Sequence, residues 1–182
     1  TTLISLEEDF NAEDFDIVMF GGGQDYEQTV VAKDLQNKKE ALIQYIEDNG
    51  IVVAICGGFQ LLGRYYVNAS GERLNGISAI DVCTNGQFPN RLIGDVEIFN
   101  EEFGETYLGY ENHIGRTYLG KNMKPLGKIV KGYGNNEEDH AEGCLYKNVF
   151  CSYFHGPILV RNQHLADRII KTAAQRRREK NA

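Results

Sequence analysis

The chain has 182 residues, 42% of them hydrophobic, and its 19 Lys and Arg against 26 Asp and Glu leave a net charge of −7. This length supports one well-buried domain, the charge gives no basic surface for nucleic acid, and no apolar run approaches the roughly 20 residues that span a bilayer. Four scattered cysteines without a CxxC pair indicate reduced thiols rather than a disulfide framework or a zinc ribbon, so we expect a cytoplasmic protein with a small substrate, no metal and no direct membrane insertion.

The first third of the chain alternates between strand and helix patterns. Residues 16–20 (DIVMF) form an apolar run that ends at three glycines, as a buried parallel strand does on entering a loop. Helical spacing of apolar residues predicts a helix over 28–49. A second apolar run, 51–55, precedes another helical pattern made by Phe59, Leu61, Leu62 and Tyr66. This order predicts a parallel α/β layer.

Beyond residue 68 the pattern changes to short strand-like runs separated by Gly and Asn, which predicts a partly antiparallel half. The runs are 91–99, 104–110, 127–130, 144–146 and 149–154. A last helix should start after Pro157 and bury one apolar face, made by Leu165, Ala166, Ile169, Ile170 and Ala173. Residues 174–182 form a polar tail. We expect a single domain over residues 1–182.

Cys56 lies where the second apolar run turns into a helix. That position is the carboxyl edge of a parallel sheet, where open α/β folds bind ligands, and a helix N-terminus can lower the pKa of a thiol. Gly57 and Gly58 allow close packing of strand and helix, as in a nucleophile elbow. The alternative is a buried structural cysteine, and packing is the expectation for Cys83, Cys144 and Cys151.

A thiol nucleophile needs a base, and His155 is the best candidate. It ends the apolar run VFCSYF and precedes Gly156-Pro157, so it also belongs at a strand end. The other three histidines, His113, His140 and His164, lie in polar stretches where a surface imidazole is the simpler interpretation.

Three segments, ICGGFQLLG (55–63), GYENHIGRT (109–117) and FHGPIL (154–159), together resemble the class I glutamine amidotransferase domain of the cobyric acid and cobyrinic acid diamide synthase subgroup. NRLIGD (90–95) and GYGNNEED (132–139) make the chain most similar to the glutaminase subunits of lipid II isoglutaminyl synthases. The resemblance implies a flavodoxin-like, mostly parallel sheet flanked by helices, with an antiparallel extension. It also implies that the first strand and helix of the family fold lie upstream of Thr1.

The resemblance implies a function in peptidoglycan synthesis. The subunit hydrolyses L-glutamine and supplies ammonia to an ATP-dependent, Mur-ligase-like partner of MurT type, which converts the D-glutamate of lipid II to D-isoglutamine. The two subunits would form a heterodimer. ATP and Mg²⁺ would bind the partner, and this chain would hold no cofactor. The alternatives are a glutaminase for a cobyrinate-type synthetase and a non-catalytic scaffold subunit.

Residue roles follow from the matching motifs. Cys56 would form a glutamyl thioester and His155 would carry the protons. Gly57 would give one oxyanion N–H, and Gly22 or Gly23 the second. The alternatives for the glycine triplet are a phosphate cradle, which lacks the GK[ST] of a P-loop, and a plain turn.

Two further positions match substrate-binding residues of the family. Gln60 would contact the bound glutamine, and its alternative is a helix-surface amide. Arg91 would hold the substrate carboxylate, and its alternative is a solvated charge. His113 and Arg116 are expected to be structural or interface residues. Where the usual motif is His-Pro-Glu, this chain has Gly156 and Pro157 after the histidine, so we expect either a Cys-His dyad or an orienting acid from the partner.

Overall fold

The computed structural model describes residues 1–23 and 25–182, without the side chains of Glu13 and Asp25. Its first half contains β1 (Ile17–Phe20), α1 (Asp25–Glu47), β2 (Ile51–Ile55), α2 (Gly57–Leu62), β3 (Tyr65–Val67), β4 (Arg73–Asn75) and β5 (Val82–Asn85). The second half contains β6 (Leu92–Asn100), β7 (Glu105–His113), β8 (Arg116–Leu119), β9 (Gly127–Lys131), β10 (Ala141–Glu142), β11 (Cys144–Tyr146), β12 (Val149–Ser152), β13 (Phe154–His155), α3 (Ile158–Arg161) and α4 (Gln163–Lys180). A 3-10 turn at Ala12–Asp14 precedes β1.

The central sheet has the strand order β1-β2-β12-β11. The first three strands are parallel, and β11 is antiparallel to β12. This confirms the predicted parallel layer, and β2 has the predicted bounds because its five apolar residues lie in the middle of a covered sheet. The carboxyl ends of β2 and β12 therefore lie at the same edge of the central sheet.

The predicted antiparallel half is also confirmed. A five-stranded sheet has the order β10-β9-β6-β7-β13, and all its neighbouring strands are antiparallel. A smaller sheet, β4-β3-β5-β8, lies beside α2 and combines antiparallel pairs with one parallel pair, β3 with β5. The fold is α/β with an antiparallel extension, as expected.

Two apolar clusters cover the central sheet. One contains residues of α1 and α2, including Leu42, Ile46 and Phe59, and the other contains residues of β6, β7 and α4, including Ile98 and Leu165. Complete burial of each such side chain contributes about 1.5–3 kcal/mol to folding. The clusters hold the carboxyl edge of the sheet between two packed layers.

Two details of the helix predictions are wrong. Tyr66 is not on the helix that follows Cys56, because α2 ends at Leu62 and Tyr66 lies buried in β3. Gly63 permits this turn, since a Cβ there would lie 2.6 Å from a methyl group of Val82. In α4, Leu165, Ile169 and Ala173 are buried, but Ile170 is 59% exposed.

The C-terminal helical segment is interrupted at Asn162, which separates α3 from α4. The Asn162 side chain accepts a hydrogen bond from the Leu108 N–H at 2.8 Å and donates one to the Leu108 carbonyl at 2.9 Å. It therefore joins the helix break to β7. The polar tail begins inside α4, which continues to Lys180.

Within the part of the chain that the structure describes, none of the helices combines the length and apolar character needed to cross a lipid bilayer.

Candidate active site

Cys56 forms a strained turn between β2 and α2. Its φ is 52° and its ψ −108°, a backbone conformation that a non-glycine residue adopts only when the surrounding structure fixes it. The Cys56 N–H donates to the Ser152 carbonyl at the end of β12, at 2.9 Å, and the Cys56 carbonyl accepts from the Gln60 N–H at 3.1 Å. These two bonds fix the thiol at the carboxyl edge of the sheet.

The two glycines after the cysteine lie close to neighbouring residues. A Cβ on Gly58 would lie 2.5 Å from the Phe20 Cβ and 3.0 Å from the Gly21 oxygen. A Cβ on Gly57 would lie 2.4 Å from the Gln28 side-chain nitrogen and 3.2 Å from the Gly23 nitrogen. The elbow and the glycine triplet are therefore in direct contact.

His155, at the end of β13, lies beside this elbow. The point that a Cβ on Gly22 would occupy is 3.9 Å from the Cys56 Sγ and 3.7 Å from the His155 Cε1. The structure thus brings together Cys56, His155 and Gly22, with Gly57 and Gly23 adjacent. The glycine triplet therefore lies against both candidate catalytic residues.

The charge balance of the site favours a neutral thiol and a neutral imidazole. Burial raises the pKa of Cys56, and this outweighs the lowering by the Gly57 N–H and the Arg91 charge. The expectation of a lowered thiol pKa is wrong, because α2 is only six residues long and burial of the thiol has the larger effect. Burial, together with the charges of His113 and Arg91, lowers the pKa of His155.

A cavity of about 560 Å³ adjoins the thiol. Its lining includes Gly23, Gln28, Cys56, Gln60 and Arg91, so it collects most of the predicted site residues. That volume accommodates an amino acid the size of glutamine.

Gln60 is 4% exposed, which excludes the helix-surface alternative. Its oxygen accepts a hydrogen bond from the Gln28 side-chain nitrogen at 2.8 Å, and its nitrogen donates to the Tyr153 hydroxyl at 3.1 Å. The Tyr153 hydroxyl is also bonded to the Thr117 hydroxyl, at 2.6 Å. Hydrogen-bonded polar side chains thus extend from the core to the cavity. No sequence signal identifies Gln28, because it occupies a polar position on an amphipathic helix.

Arg91 lies at the rim of the cavity. Its Nε donates to the Asn112 side-chain oxygen at 3.0 Å, and Nη2 donates to the Asn112 carbonyl at 3.2 Å. Among the described residues no carboxylate forms an ion pair with this guanidinium, so the remaining N–H groups are free to receive an anion.

The expected structural residues are enclosed. Arg116 is 3% exposed; it donates to the carbonyls of Asn90 and Ile114 and forms an ion pair with Glu137 at 2.7 Å. His113 is not on the surface: it is buried, which corrects the first interpretation of that imidazole. Cys144 and Cys151 are buried opposite each other in β11 and β12, whereas Cys83 is half-buried in β5.

Comparison with known proteins identifies the class. A family model described as a CobB/CobQ-like glutamine amidotransferase domain matches residues 2–163. The chain belongs to this family of glutamine-hydrolysing enzymes. A solved glutamine amidotransferase superposes with a TM-score of 0.62 at 17% identity, covering 89% of this chain and 81% of that one. Another, from Thermotoga maritima, gives 0.53 at 15% identity, covering 97% and 69%. Both likenesses concern the fold.

Individual relatives are more specific. The chain is 55% identical over 175 residues to the lipid II isoglutaminyl synthase (glutamine-hydrolyzing) subunit GatD of Streptococcus pneumoniae R6, covering 96% of this chain and 67% of the relative. It is 41% identical to the subunit of the same name from Staphylococcus aureus N315, covering 96% and 70%. The cobyric acid synthase of Listeria innocua is 31% identical, covering 80% and 30%.

Proposed function

We propose that this chain is the glutaminase subunit of a lipid II isoglutaminyl synthase. It hydrolyses L-glutamine through Cys56 and passes ammonia to an ATP-dependent, Mur-ligase-like partner, which amidates the D-glutamate of lipid II in peptidoglycan synthesis. The names of the two GatD relatives support the pathway. The observation that carries the chemistry is the strained Cys56 elbow beside His155, at the rim of a cavity that also contains Arg91.

In the first step the Cys56 thiol and the His155 imidazole both start in their neutral forms. His155 accepts the thiol proton as the Cys56 sulfur attacks the carboxamide carbon, forming the C–S bond and placing negative charge on the amide oxygen. The Gly57 N–H stabilises that oxyanion, with the second donor from Gly22 or Gly23. His155 then returns the proton to the nitrogen, the C–N bond breaks, and ammonia leaves a glutamyl thioester.

Water completes the cycle. His155 takes a proton from a water molecule as the water oxygen attacks the thioester carbon, and the same oxyanion donors stabilise the second tetrahedral intermediate. The C–S bond breaks, the thiolate recovers its proton from His155, and glutamate leaves. Arg91 holds the α-carboxylate of the substrate throughout, while Gln60 contacts the bound glutamine from the floor of the cavity.

The partner has two further roles in this proposal. Glycine and proline follow His155 where the family's usual acid stands, so a carboxylate from the partner would orient the imidazole when the two subunits assemble. ATP and Mg²⁺ would bind the partner, which carries out the ligation. We therefore expect weak glutaminase activity from this chain alone and greater activity in the heterodimer.

The test is glutamate release from L-glutamine by the wild type and by Cys56→Ala, each with and without the Mur-ligase-like subunit. Cys83→Ala is the matched control, because Cys83 is a half-buried thiol away from the elbow. Release should require Cys56, persist in Cys83→Ala and increase with the partner. Folded protein that releases no Cys56-dependent glutamate under either condition, but still binds the partner, would instead be a scaffold subunit. Enhancement only by a cobyrinate-type synthetase would reassign the pathway.

A further inference from the structure

The chain passes from one sheet to another just before the candidate base. β12 ends at Ser152, beside β2 in the central sheet, and β13 begins at Phe154, beside β7 in the five-stranded sheet. We call residues 152–154 the β12–β13 junction; each of the three is at most 1% exposed. Buried backbone groups that leave one sheet for another need partners outside the regular strand ladders.

Glu142, in β10, supplies those partners. Its Oε1 accepts hydrogen bonds from the Tyr153 N–H at 2.6 Å and from the Ser152 hydroxyl at 3.1 Å. The Ser152 Oγ in turn accepts the Phe154 N–H at 2.9 Å. One carboxyl group therefore holds the whole β12–β13 junction, directly at Tyr153 and through the Ser152 hydroxyl at Phe154.

Glu142 is itself fixed in place. It is completely buried. The Asn135 side chain binds both backbone groups of the next residue, because it accepts the Gly143 N–H at 2.8 Å and donates to the Gly143 carbonyl at 2.9 Å. Gly143 has a φ of 67°, and a Cβ there would collide with the Cys151 carbonyl oxygen. The backbone that carries Glu142 thus lies directly against β12.

Both candidate catalytic residues depend on the β12–β13 junction. The Ser152 carbonyl accepts the Cys56 N–H at 2.9 Å and so holds the strained elbow. His155 directly follows Phe154, in a strand of only two residues. The His155 Nε2 is buried and has no hydrogen-bond partner among the described residues. Because none of their side chains holds that nitrogen, the position of the imidazole depends on the backbone that carries it.

We propose that Glu142 is a positioning residue of the glutaminase site: it holds the β12–β13 junction and thereby sets the separation of the Cys56 thiol and the His155 imidazole. Its hydrogen bonds go to the junction, so it acts through the two catalytic residues and not on the substrate. The catalytic consequence rests on the proposed function. The coupling of Cys56 to His155 can be measured without glutamine.

Glu142→Met tests the proposal, because methionine keeps the length of the side chain and its thioether is only a weak acceptor. We expect kcat for glutamine in the heterodimer to fall about 100-fold, since a displacement of about 1 Å at the reacting atoms costs that much. KM should change by less than about threefold, because Asn112, and not the junction, holds Arg91.

Glu142→Gln is the conservative variant. Burial raises the pKa of Glu142 to about 8, so a side-chain amide is the neutral counterpart of the group present at pH 7. Its oxygen can accept the same two hydrogen bonds, and kcat should therefore stay within about threefold of the wild type.

Asn100→Leu is the matched control for loss of stability. Asn100 is also a buried polar side chain that holds backbone groups: it accepts the Phe103 N–H at 2.7 Å and donates to the Leu126 carbonyl at 2.6 Å. It lies at the β6–β7 turn, whereas β13 pairs with Tyr110 and Glu111 further along β7. This variant should have a lower Tm and an unchanged kcat.

A double-mutant cycle with His155→Ala distinguishes positioning from a purely structural role. The readout is the rate at which iodoacetamide alkylates Cys56 at alkaline pH, measured by mass spectrometry of the Cys56 peptide. With His155 present, Glu142→Met should slow this reaction at least about tenfold, because the imidazole no longer reaches the thiol proton. In the His155→Ala background the same substitution should change the rate by less than about twofold.

If Glu142→Met does not fold, Ser152→Ala removes the link to Phe154, leaves the bond from Glu142 to the Tyr153 N–H, and should show smaller losses in the same direction. Wild-type kcat in a folded Glu142→Met, equal losses in Glu142→Gln or Asn100→Leu, or additive effects in the cycle would each overturn the proposal. A coupled cycle in a chain that hydrolyses no glutamine, even with the partner, would refute the proposed function alone.

Discussion

Alanine at Gly22 and at Gly58 should separate catalysis from stability. Gly22 has room for a methyl group, whose nearest contacts would be 3.4 Å to the Cys56 Cβ, 3.7 Å to the His155 Cε1 and 3.9 Å to the Cys56 Sγ. These are ordinary van der Waals distances, so Gly22→Ala should change the unfolding free energy by no more than about 0.5 kcal/mol. The methyl group nevertheless occupies the space between nucleophile and base. Because a displacement of about 1 Å costs on the order of 100-fold in rate, we expect at least that loss in kcat/KM for glutamine.

Gly58→Ala should have the opposite effect. Its methyl group would lie 2.5 Å from the Phe20 Cβ and 3.0 Å from two backbone oxygens, those of Phe20 and Gly21. Overpacking of this kind costs about 1–3 kcal/mol, and for a chain of this size 1 kcal/mol corresponds to about 2–4 °C in Tm. We expect a Tm roughly 6 °C below the wild type.

Thermal unfolding followed by circular dichroism and glutamate release by the heterodimer measure the two effects on the same preparations. Alkylation of Cys56 confirms that the thiol is present and reachable in each. Near-wild-type activity in Gly22→Ala would mean that the substrate amide does not pass between Cys56 and His155, and the site geometry described above would be refuted. An unchanged Tm in Gly58→Ala would refute the close packing of the elbow against β1.

Three further predictions follow from the charges of the site. Since burial raises the pKa of Cys56, iodoacetamide should alkylate this thiol more slowly at pH 7 than it alkylates a free cysteine. The reaction should accelerate only at alkaline pH, and rapid alkylation at pH 6 would contradict the prediction. The pKa of Glu142 is raised from 4.5 to about 8, so its contribution to stability is complete below pH 4.5 and is lost as the pH rises towards 8. Glu142→Gln should therefore reduce the fall of the unfolding free energy between these pH values, measured by urea unfolding. An unchanged pH dependence of the unfolding free energy would contradict this prediction. Arg91→Ala should raise KM for glutamine about 10- to 100-fold with an unchanged Tm, whereas an effect on kcat alone would assign Arg91 another role.

The sequence predicted the positions of Cys56 and His155 because its signals there are local. A wholly apolar β2 must be a covered strand, and Cys56 and His155 each follow an apolar run directly. His155 ends β13 of the five-stranded sheet, but it lies only three residues beyond the end of β12, the neighbour of β2 in the central sheet. The shared carboxyl edge of β2 and β12 therefore brings it close to Cys56.

The buried polar residues could not be predicted in the same way. In β7 the inward positions are Tyr107, Gly109, Glu111 and His113, while Leu108 and Tyr110 face outward and are exposed. Alternation of apolar and polar residues therefore assigns the wrong face to the core. The N–H groups of Tyr133 and Gly134 bind the buried Glu111 side chain, and their loop is distant from it in sequence. The same limitation applies to Tyr66, whose position depends on a turn that Gly63 permits.

The Asn162 side chain lies at the open edge of β7. β13 is only two residues long, so it leaves much of one side of β7 without a neighbouring strand. A strand from another molecule could add there, because exposed N–H and C=O groups act as a template. The Asn162 amide satisfies both backbone groups of Leu108, as a partner strand would, and α3 packs against β7. One side chain thus occupies the two backbone groups of Leu108 that an added strand would need.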